Sequence, residues 1–170
     1  MLKYLIPFLL FICSIQAQAQ FTQAEVSVNG LTCSQCSRSV EMALKRLDFI
    51  AKVEMDLQQP TAHIVFKKNK AIDFAKLASA VRDAGFDVRS IKTRLPQSLN
   101  EESACFVYNK IMYYNAGNSQ SAHSGAELLL LGKDLISKAE LDKHKSHIRQ
   151  AAPAPCDKNA TKEVPFLLLQ

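Results

Sequence analysis

The stretch Gly30-Leu31-Thr32-Cys33-Ser34-Gln35-Cys36 sets two cysteines three positions apart, at the point where an alternating strand pattern gives way to a helical one. The first backbone N–H groups of a helix lack partners within the helix and favour negative charge. We therefore expect both cysteines to favour the thiolate, which is the form that binds metal. Two soft ligands suit Cu(I) or Hg(II), because a closed zinc site takes four ligands.

By itself, a Cys-x-x-Cys pair leaves several alternatives open. It occurs as one half of a zinc site, as a redox-active pair, as a structural disulfide and by chance. The sequence around the pair has to decide between them.

The composition is that of a globular protein. The chain has 170 residues, of which 48% are apolar and 22% are charged, so it is long enough for one domain or two small ones. Its formal charge of +5 falls to +4 without the first nineteen residues, where Lys3 is the only charged side chain. Because this mild surplus is spread along the chain, it predicts no nucleic-acid partner.

Residues 1–19 have the features of a secretory signal peptide. Lys3 supplies the positive start, residues 5–15 form an apolar run, and Ala17-Gln18-Ala19 gives the small-x-small pattern before cleavage. The run is too short to span a bilayer comfortably, and retention as an anchor is the alternative. Cys13 is expected to be lost with the signal. We therefore predict an exported protein, periplasmic or secreted, with no stable membrane insertion after the signal is removed.

Residues 24–91 alternate between strand and helix periodicities. Apolar residues at every second position predict four strands, and apolar stripes predict two helices, which begin near Ser34 and at the cap Asp73. Gly85 is placed to end the second helix in a left-handed turn. The order β-α-β-β-α-β predicts an α+β fold of the ferredoxin-like kind, with two helices on one face of a four-stranded antiparallel sheet. The residues that carry the patterns are, in chain order, Ala24, Val26, Val28; Val40, Ala43, Leu44, Leu47; Ala51, Val53, Met55, Leu57; Ala62, Ile64, Phe66; Phe74, Leu77, Ala78, Val81; and Phe86, Val88.

This first half resembles the heavy-metal-associated domain, a module of copper chaperones, metal-pumping ATPases and periplasmic mercury-binding proteins. The motif of that family is Gly-Met-Thr-Cys-x-x-Cys after the first strand, and here Leu31 stands in the place of the methionine. The apolar spacing of the first helix and the Ala84-Gly85-Phe86 turn also match. We place the domain at residues 20–92.

The resemblance implies that Cys33 and Cys36 bind one Cu(I) or Hg(II) ion per chain. It also implies that Thr32 and Phe86 support the loop that holds the metal, although core packing would explain Phe86 as well. A phenylalanine after the late glycine is similar to the ATPase and mercury-binding members, whereas soluble copper chaperones more often carry lysine or tyrosine. His63 lies out of phase with the buried residues of its strand, so we expect it on the exposed face and not as a ligand.

These features predict a carrier of a soft metal ion, not an enzyme. A two-coordinate dithiolate leaves the metal open to a third sulfur, so the ion can pass between proteins by ligand exchange. The partner is then a metal-donor or metal-acceptor protein such as a transporter or a metal-pumping ATPase. Arg38, Lys45 and Arg46 on the first helix form either a docking face for an acidic partner or an ordinary solvated face.

Two other functions stay open at this level. A thiol-disulfide oxidoreductase would use the same cysteine pair, but the chain has no tryptophan and no proline within the pair, both of which are usual in thioredoxin-type sites. A metal-sensing interaction protein would bind its partner through the second half of the chain.

The second half of the chain is predicted to be a separate small module. Residues 93–103 are typical of a linker, and the module is placed at residues 104–170. Strand patterns at 106–114, 127–131 and 164–169 and a helix pattern over 137–148 predict a β-rich α+β module. An incomplete OB-like barrel is one possibility.

Cys105 and Cys156 flank this module, and a disulfide between them would stabilise so small a core. The alternative is a second metal site at His144 and His147, against which the positive charges of the neighbouring lysines argue.

Overall fold

The computed structural model describes residues 21–95, 105–117, 125–150 and 160–169. The predicted signal peptide at 1–19 and Cys156 lie outside these ranges. No helix within them is both long and apolar enough to cross a membrane. The helices are α1 (Ser34–Lys45), α2 (Phe74–Asp83), α3 (Lys138–Lys143) and α4 (Lys145–Gln150). The strands are β1 (Gln23–Asn29), β2 (Ile50–Asp56), β3 (Thr61–Phe66), β4 (Asp87–Arg94), β5 (Cys105–Tyr108), β6 (Ile111–Asn115), β7 (Glu127–Leu130) and β8 (Lys162–Leu169).

The first six elements confirm the predicted ferredoxin-like order. β1 pairs antiparallel with β3 and β4, and β2 pairs antiparallel with β3, which gives the strand order β2-β3-β1-β4. α1 and α2 pack together on one face of this sheet, because each helix presents one apolar stripe to it. The buried side chains between the two layers include Val26, Val28, Val40, Leu44, Ile64, Leu77, Val81 and Ile91.

The inward positions of β2 differ from the predicted alternation. We expected Ala51 and Leu57 to face the core, but Ala51 is exposed and Leu57 is 71% exposed. The pairing with β3 shifts between Ile50 and Lys52, and such a bulge changes which residues face inward. Ile50 is therefore buried in place of Ala51, and Leu57 lies in the turn after the strand.

Both ends of α2 are as predicted. The carboxylate of Asp73 accepts hydrogen bonds from two backbone N–H groups of the first turn. At the other end Gly85 has a φ of +89°, and the backbone N–H of Phe86 donates back to the carbonyl of Val81 over 3.2 Å. This left-handed Schellman ending turns the chain directly into β4.

β4 is not an edge strand, because the second half of the chain continues the sheet. β7 pairs antiparallel with β4, with Leu130 opposite Ile91 and Glu127 opposite Arg94. The full strand order is β2-β3-β1-β4-β7-β8-β6-β5, in which β6 and β8 are parallel. The later strands therefore extend one open sheet, and the prediction of a separate module or an OB-like barrel is wrong.

The predicted linker at 93–103 begins too early. Thr93 and Arg94 are the last residues of β4, and Leu95 is buried, so the strand runs past the expected domain boundary at residue 92. The rest of the predicted linker, residues 96–103, lies outside the described ranges.

Aromatic contacts join the two halves of the chain. The fully buried ring of Phe21 lies 5.0 Å from the ring of Tyr108 and 5.9 Å from that of Tyr113, measured between centroids. The hydroxyl of Tyr108 accepts a hydrogen bond of 3.0 Å from the backbone N–H of Ile72. One hydrophobic core therefore contains residues of both halves.

Two elements of the second half are divided more finely than predicted. The aromatic run 106–114 forms the hairpin of β5 and β6, and its turn residues Asn109 and Lys110 both have positive φ, as a two-residue turn of this kind requires. The helix predicted over 137–148 is capped by Ser137 as expected, but it is interrupted at His144 and continues as α4.

Candidate metal centre

The cysteine pair lies in the loop between β1 and α1. Gly30 has a φ of +84°, which a glycine adopts without strain, and the backbone N–H of Thr32 donates to the carbonyl of Gly30 over 3.0 Å. This tight turn delivers Cys33 to the N-cap position of α1. The Sγ of Cys33 accepts a hydrogen bond of 3.1 Å from the backbone N–H of Cys36, in the first helical turn. We refer to residues 30–36 as the metal loop.

The structure holds Cys33 and Cys36 in a disulfide, with their Cα atoms 5.3 Å apart. Cys33 is exposed and Cys36 is half-buried, so the pair can be reached from solvent on the Cys33 side. The disulfide has no thiolate to offer a metal, and only the reduced pair has two. The fold thus brings both sulfur atoms to one accessible point at the amino end of a helix.

Three other predicted residues lie within or beside the metal loop. The ring of Phe86 is half-buried, and its Cδ1 lies 3.9 Å from the position that a Cβ on Gly30 would occupy. Leu31 packs partly buried against the core, as expected for an apolar residue in place of methionine. The side chain of Thr32 is exposed, and its contribution to the loop is the backbone hydrogen bond to Gly30.

Two of the three predicted cations of α1 are paired within the helix. Glu41 accepts hydrogen bonds from Arg38, at 3.0 Å, and from Lys45. These two hydrogen bonds hold the pKa of the Glu41 carboxyl below its ordinary value, and the bond from Lys45 is the larger cause. Arg46 is exposed at the helix end. The arrangement favours the ordinary solvated face over the docking face.

Within the part of the chain that the structure describes, the remaining candidates do not form a second metal centre. The ring centroids of His144 and His147 lie 6.3 Å apart. Burial is the main cause that lowers the pKa of His144, and the nearby His147 lowers it further. Across the described ranges, no three His, Cys, Asp or Glu side chains are grouped so that they could hold a metal ion. His63 lies on the exposed face of the sheet, as predicted, with its Nδ1 3.5 Å from a carboxylate oxygen of Glu25.

Cys105, which begins β5, is half-buried and is in the disulfide form. Its predicted partner Cys156 lies outside the described residues, so the pairing of the two stays a prediction.

One segment at the end of the sheet that carries the metal loop was missed in the sequence. Residues 131–137 return to the start of β4, where the backbone N–H of Ser137 donates to the carbonyl of Val88 over 2.9 Å. On its other side Val88 pairs with Val28 of β1, two residues before Gly30. No local pattern indicates this approach, because it follows from the pairing of β7 with β4.

Comparisons with known proteins match the first half of the chain. Copper-transporting ATPase 1 of Rhizobium meliloti (strain 1021) is 35% identical over 68 residues, which are 40% of this chain and 8% of that protein. The copper chaperone CopZ of Staphylococcus haemolyticus (strain JCSC1435) is 28% identical over 64 residues, which are 38% of this chain and 93% of that protein. The chain spans only 7–8% of the length of four copper-transporting or cation-transporting ATPases that it matches.

A solved structure matches the same region. Oxidized MerP from Ralstonia metallidurans CH34 is 29% identical, with a TM-score of 0.37, over 41% of this chain and 94% of that one. The family model of the heavy-metal-associated domain matches residues 25–87, which include the metal loop, the helices α1 and α2 and the turn at Gly85. Residues 25–87 of this chain therefore belong to the heavy-metal-associated domain family.

Proposed function

We propose that this protein is an exported carrier that binds one Cu(I) ion between the sulfur atoms of Cys33 and Cys36 and passes it to another protein. The observation that supports this most directly is the convergence of the two sulfurs at the exposed amino end of α1, within a heavy-metal-associated domain. Copper is favoured over mercury because the curated relatives are named as copper chaperones and copper-transporting ATPases. Hg(II) is the alternative cargo, since two thiolates also suit it.

Loading begins with reduction of the pair. The Cys33–Cys36 disulfide takes up two electrons and two protons from a thiol reductant, which is itself oxidised to a disulfide. The two thiols then lose their protons as they bind the ion. Backbone N–H groups at the start of α1, including that of Cys36, which donates to the Sγ of Cys33, stabilise the negative charge of the resulting dithiolate.

Transfer exchanges one copper–sulfur bond for another. A thiolate of the partner forms a third bond to Cu(I), and a bond to one of the two cysteines then breaks. A second exchange of the same kind replaces the bond to the other cysteine and completes the transfer. The incoming thiol loses its proton when it binds the copper, and the cysteine thiolate takes up a proton when it is released. The copper stays in the same oxidation state. Because Cys33 is exposed and Cys36 is half-buried, the partner approaches on the Cys33 side. The chemistry is that of a carrier, and the partner is a metal donor or acceptor such as a metal-pumping ATPase.

The test is an anaerobic titration of the reduced protein with Cu(I), Hg(II) and Zn(II) against competing chelators. We expect one Cu(I) per chain, with Zn(II) bound far more weakly, and we expect both soft ions to be lost in Cys33→Ser/Cys36→Ser. The matched control is Cys105→Ser/Cys156→Ser, which removes the other two thiols of the mature chain and should bind Cu(I) like the wild type. Loss of Cu(I) binding in the control but not in the first variant would contradict the assignment.

A second candidate function is thiol-disulfide exchange, and the disulfide form of the pair is the observation that favours it. An insulin-reduction assay with a thiol reductant separates the two. The exchange function is supported if the wild type accelerates the reaction, and it fails if the rate equals that of Cys33→Ser/Cys36→Ser.

A further inference from the structure

Residues from the second half of the chain reach the end of the sheet that carries the metal loop. Leu130 of β7 lies opposite Ile91 of β4, and the chain then runs toward the start of β4, where Ser137 contacts Val88. Asn29, which precedes the metal loop, pairs with Asp87 on the other side of β4. The metal loop and residues 131–138 therefore leave the same end of the sheet, with one strand between them.

An open cleft of about 660 Å³ lies at this end of the sheet. Its lining includes Asn29, Arg82, Asp87, Lys133, Ser137 and Lys138. We call this surface the loop-end cleft. It combines β1, the end of α2, the start of β4 and the segment before and within α3, so it exists only because the second half of the chain folds against the first.

The loop-end cleft carries a surplus of positive charge. Asp134, which also lines it, is paired with Lys162, and the carbonyl of Asp134 accepts a hydrogen bond of 3.1 Å from the Arg82 guanidinium. Among the described residues, Arg82, Lys133 and Lys138 have no ion pair with a carboxylate. Three cations of the lining, Arg82, Lys133 and Lys138, thus share the cleft with two carboxylates, those of Asp87 and Asp134. The pKa of Asp134 is lowered first by Lys162 and then also by Lys133 and Arg82, so part of the positive charge is offset and a surplus remains.

We propose that the loop-end cleft docks an acidic surface of the protein that exchanges metal with Cys33 and Cys36. This inference rests on the proposed function. Transfer brings two anionic sulfur sites together, and positive charge beside one of them offsets their repulsion and speeds the encounter. The cations are spread along the rim of a wide, open cleft on separate elements, which suits an extended protein surface. The second half of the chain would then select the partner.

The test measures the rate of Cu(I) transfer from the loaded full-length mature protein to two synthetic peptides. Each peptide carries one Cys-x-x-Cys pair, followed in one by four glutamates and in the other by four glutamines. The variant is Lys133→Glu/Lys138→Glu. The matched control is Lys68→Glu/Lys76→Glu, with the same charge change at two exposed positions after β3 and at the start of α2, at the opposite end of the sheet.

At low ionic strength we expect the variant to transfer Cu(I) to the glutamate peptide about 10-fold more slowly than the wild type. The control should change this rate less than about 2-fold, and the difference should disappear at about 1 M salt, where charges are screened within about 3 Å. Transfer to the glutamine peptide should be nearly the same for all three proteins. Equal slowing by variant and control, or no slowing by either, overturns the proposal.

Two further measurements keep this proposal separate from the proposed function. Chelator competition should give all three proteins the same Cu(I) affinity, and a wild type without Cu(I) affinity would refute the carrier function alone. Docking is then judged without metal, by NMR with a glutamate peptide in which serines replace the cysteines. Amide shifts should concentrate at Val88 and Ser137 and vanish in Lys133→Glu/Lys138→Glu, and shifts that persist in this variant overturn the docking site.

Discussion

The backbone N–H of Cys36 donates a hydrogen bond to the Sγ of Cys33 over 3.1 Å, so the first cysteine of the metal loop is also the N-cap of α1. The side chain of Cys33 therefore has two roles: it caps the helix, and in the proposed function it binds the metal. The two roles can be separated by substitution, because serine caps a helix well and alanine does not.

We expect Cys33→Ala to lower the free energy of unfolding of the reduced, metal-free protein by about 1 kcal/mol relative to Cys33→Ser. Both variants should lose Cu(I) binding. Urea unfolding under reducing conditions gives the difference in stability, and chelator competition gives the affinity. Equal stability of the two variants would mean that Cys33 does not cap the helix once the disulfide is reduced.

The turn at Gly30 should be sensitive to its backbone conformation and not to crowding. A Cβ at this position would lie 3.9 Å from the Phe86 ring, an ordinary contact, but a φ of +84° is strained for any other residue. We expect Gly30→Ala to cost about 1–2 kcal/mol of stability. In a double-mutant cycle, Phe86→Ala should not relieve this cost. Relief would show that the ring and not the backbone resists the substitution.

The two halves should unfold as one unit. The chain has no tryptophan, and the tyrosines of the described ranges, Tyr108, Tyr113 and Tyr114, lie in β5 and β6, whereas the two longest helices, α1 and α2, lie in the first half. Tyrosine fluorescence and far-UV circular dichroism should therefore give the same urea midpoint. Tyr108→Phe removes the hydrogen bond to Ile72 and should lower both midpoints together, by about 1 kcal/mol of stability. Separate midpoints would show that the halves fold independently.

His144 should make the protein less stable in mild acid. Burial and the nearby His147 lower the pKa of His144 below its ordinary value of 6.5, so the unfolded chain takes up this proton before the folded one. Above about pH 6.5 this residue does not reduce the free energy of unfolding. The free energy of unfolding falls as the pH drops from there toward the lowered pKa of the folded protein. NMR titration of the imidazole, with urea unfolding at several pH values, checks this.

His147→Gln should raise the pKa of His144 only in part, because burial is the larger cause. His144→Gln should lose this component of the pH dependence altogether. A pKa of His144 at or above its ordinary value in the wild type would contradict the prediction.

Local sequence patterns predicted most of the first half. The cap at Asp73, the left-handed turn at Gly85 and the start of α1 beside Cys33 depend on residues within a few positions of each other, and the structure has all three. The same patterns failed at Ala51, because a bulge is a property of two paired strands and not of one.

By itself, the sequence determined the metal loop and the ferredoxin-like order, since a Cys-x-x-Cys pair and apolar periodicity are short-range signals. Only the tertiary structure decided where the second half of the chain lies. An apolar strand such as β7 fits more than one sheet edge, and its pairing with β4 is fixed by contacts between residues far apart in the chain. That pairing carries Lys133 and Lys138 to the end of the sheet from which the metal loop leaves, and the contacts of Phe21 with Tyr108 and Tyr113 hold the two halves together.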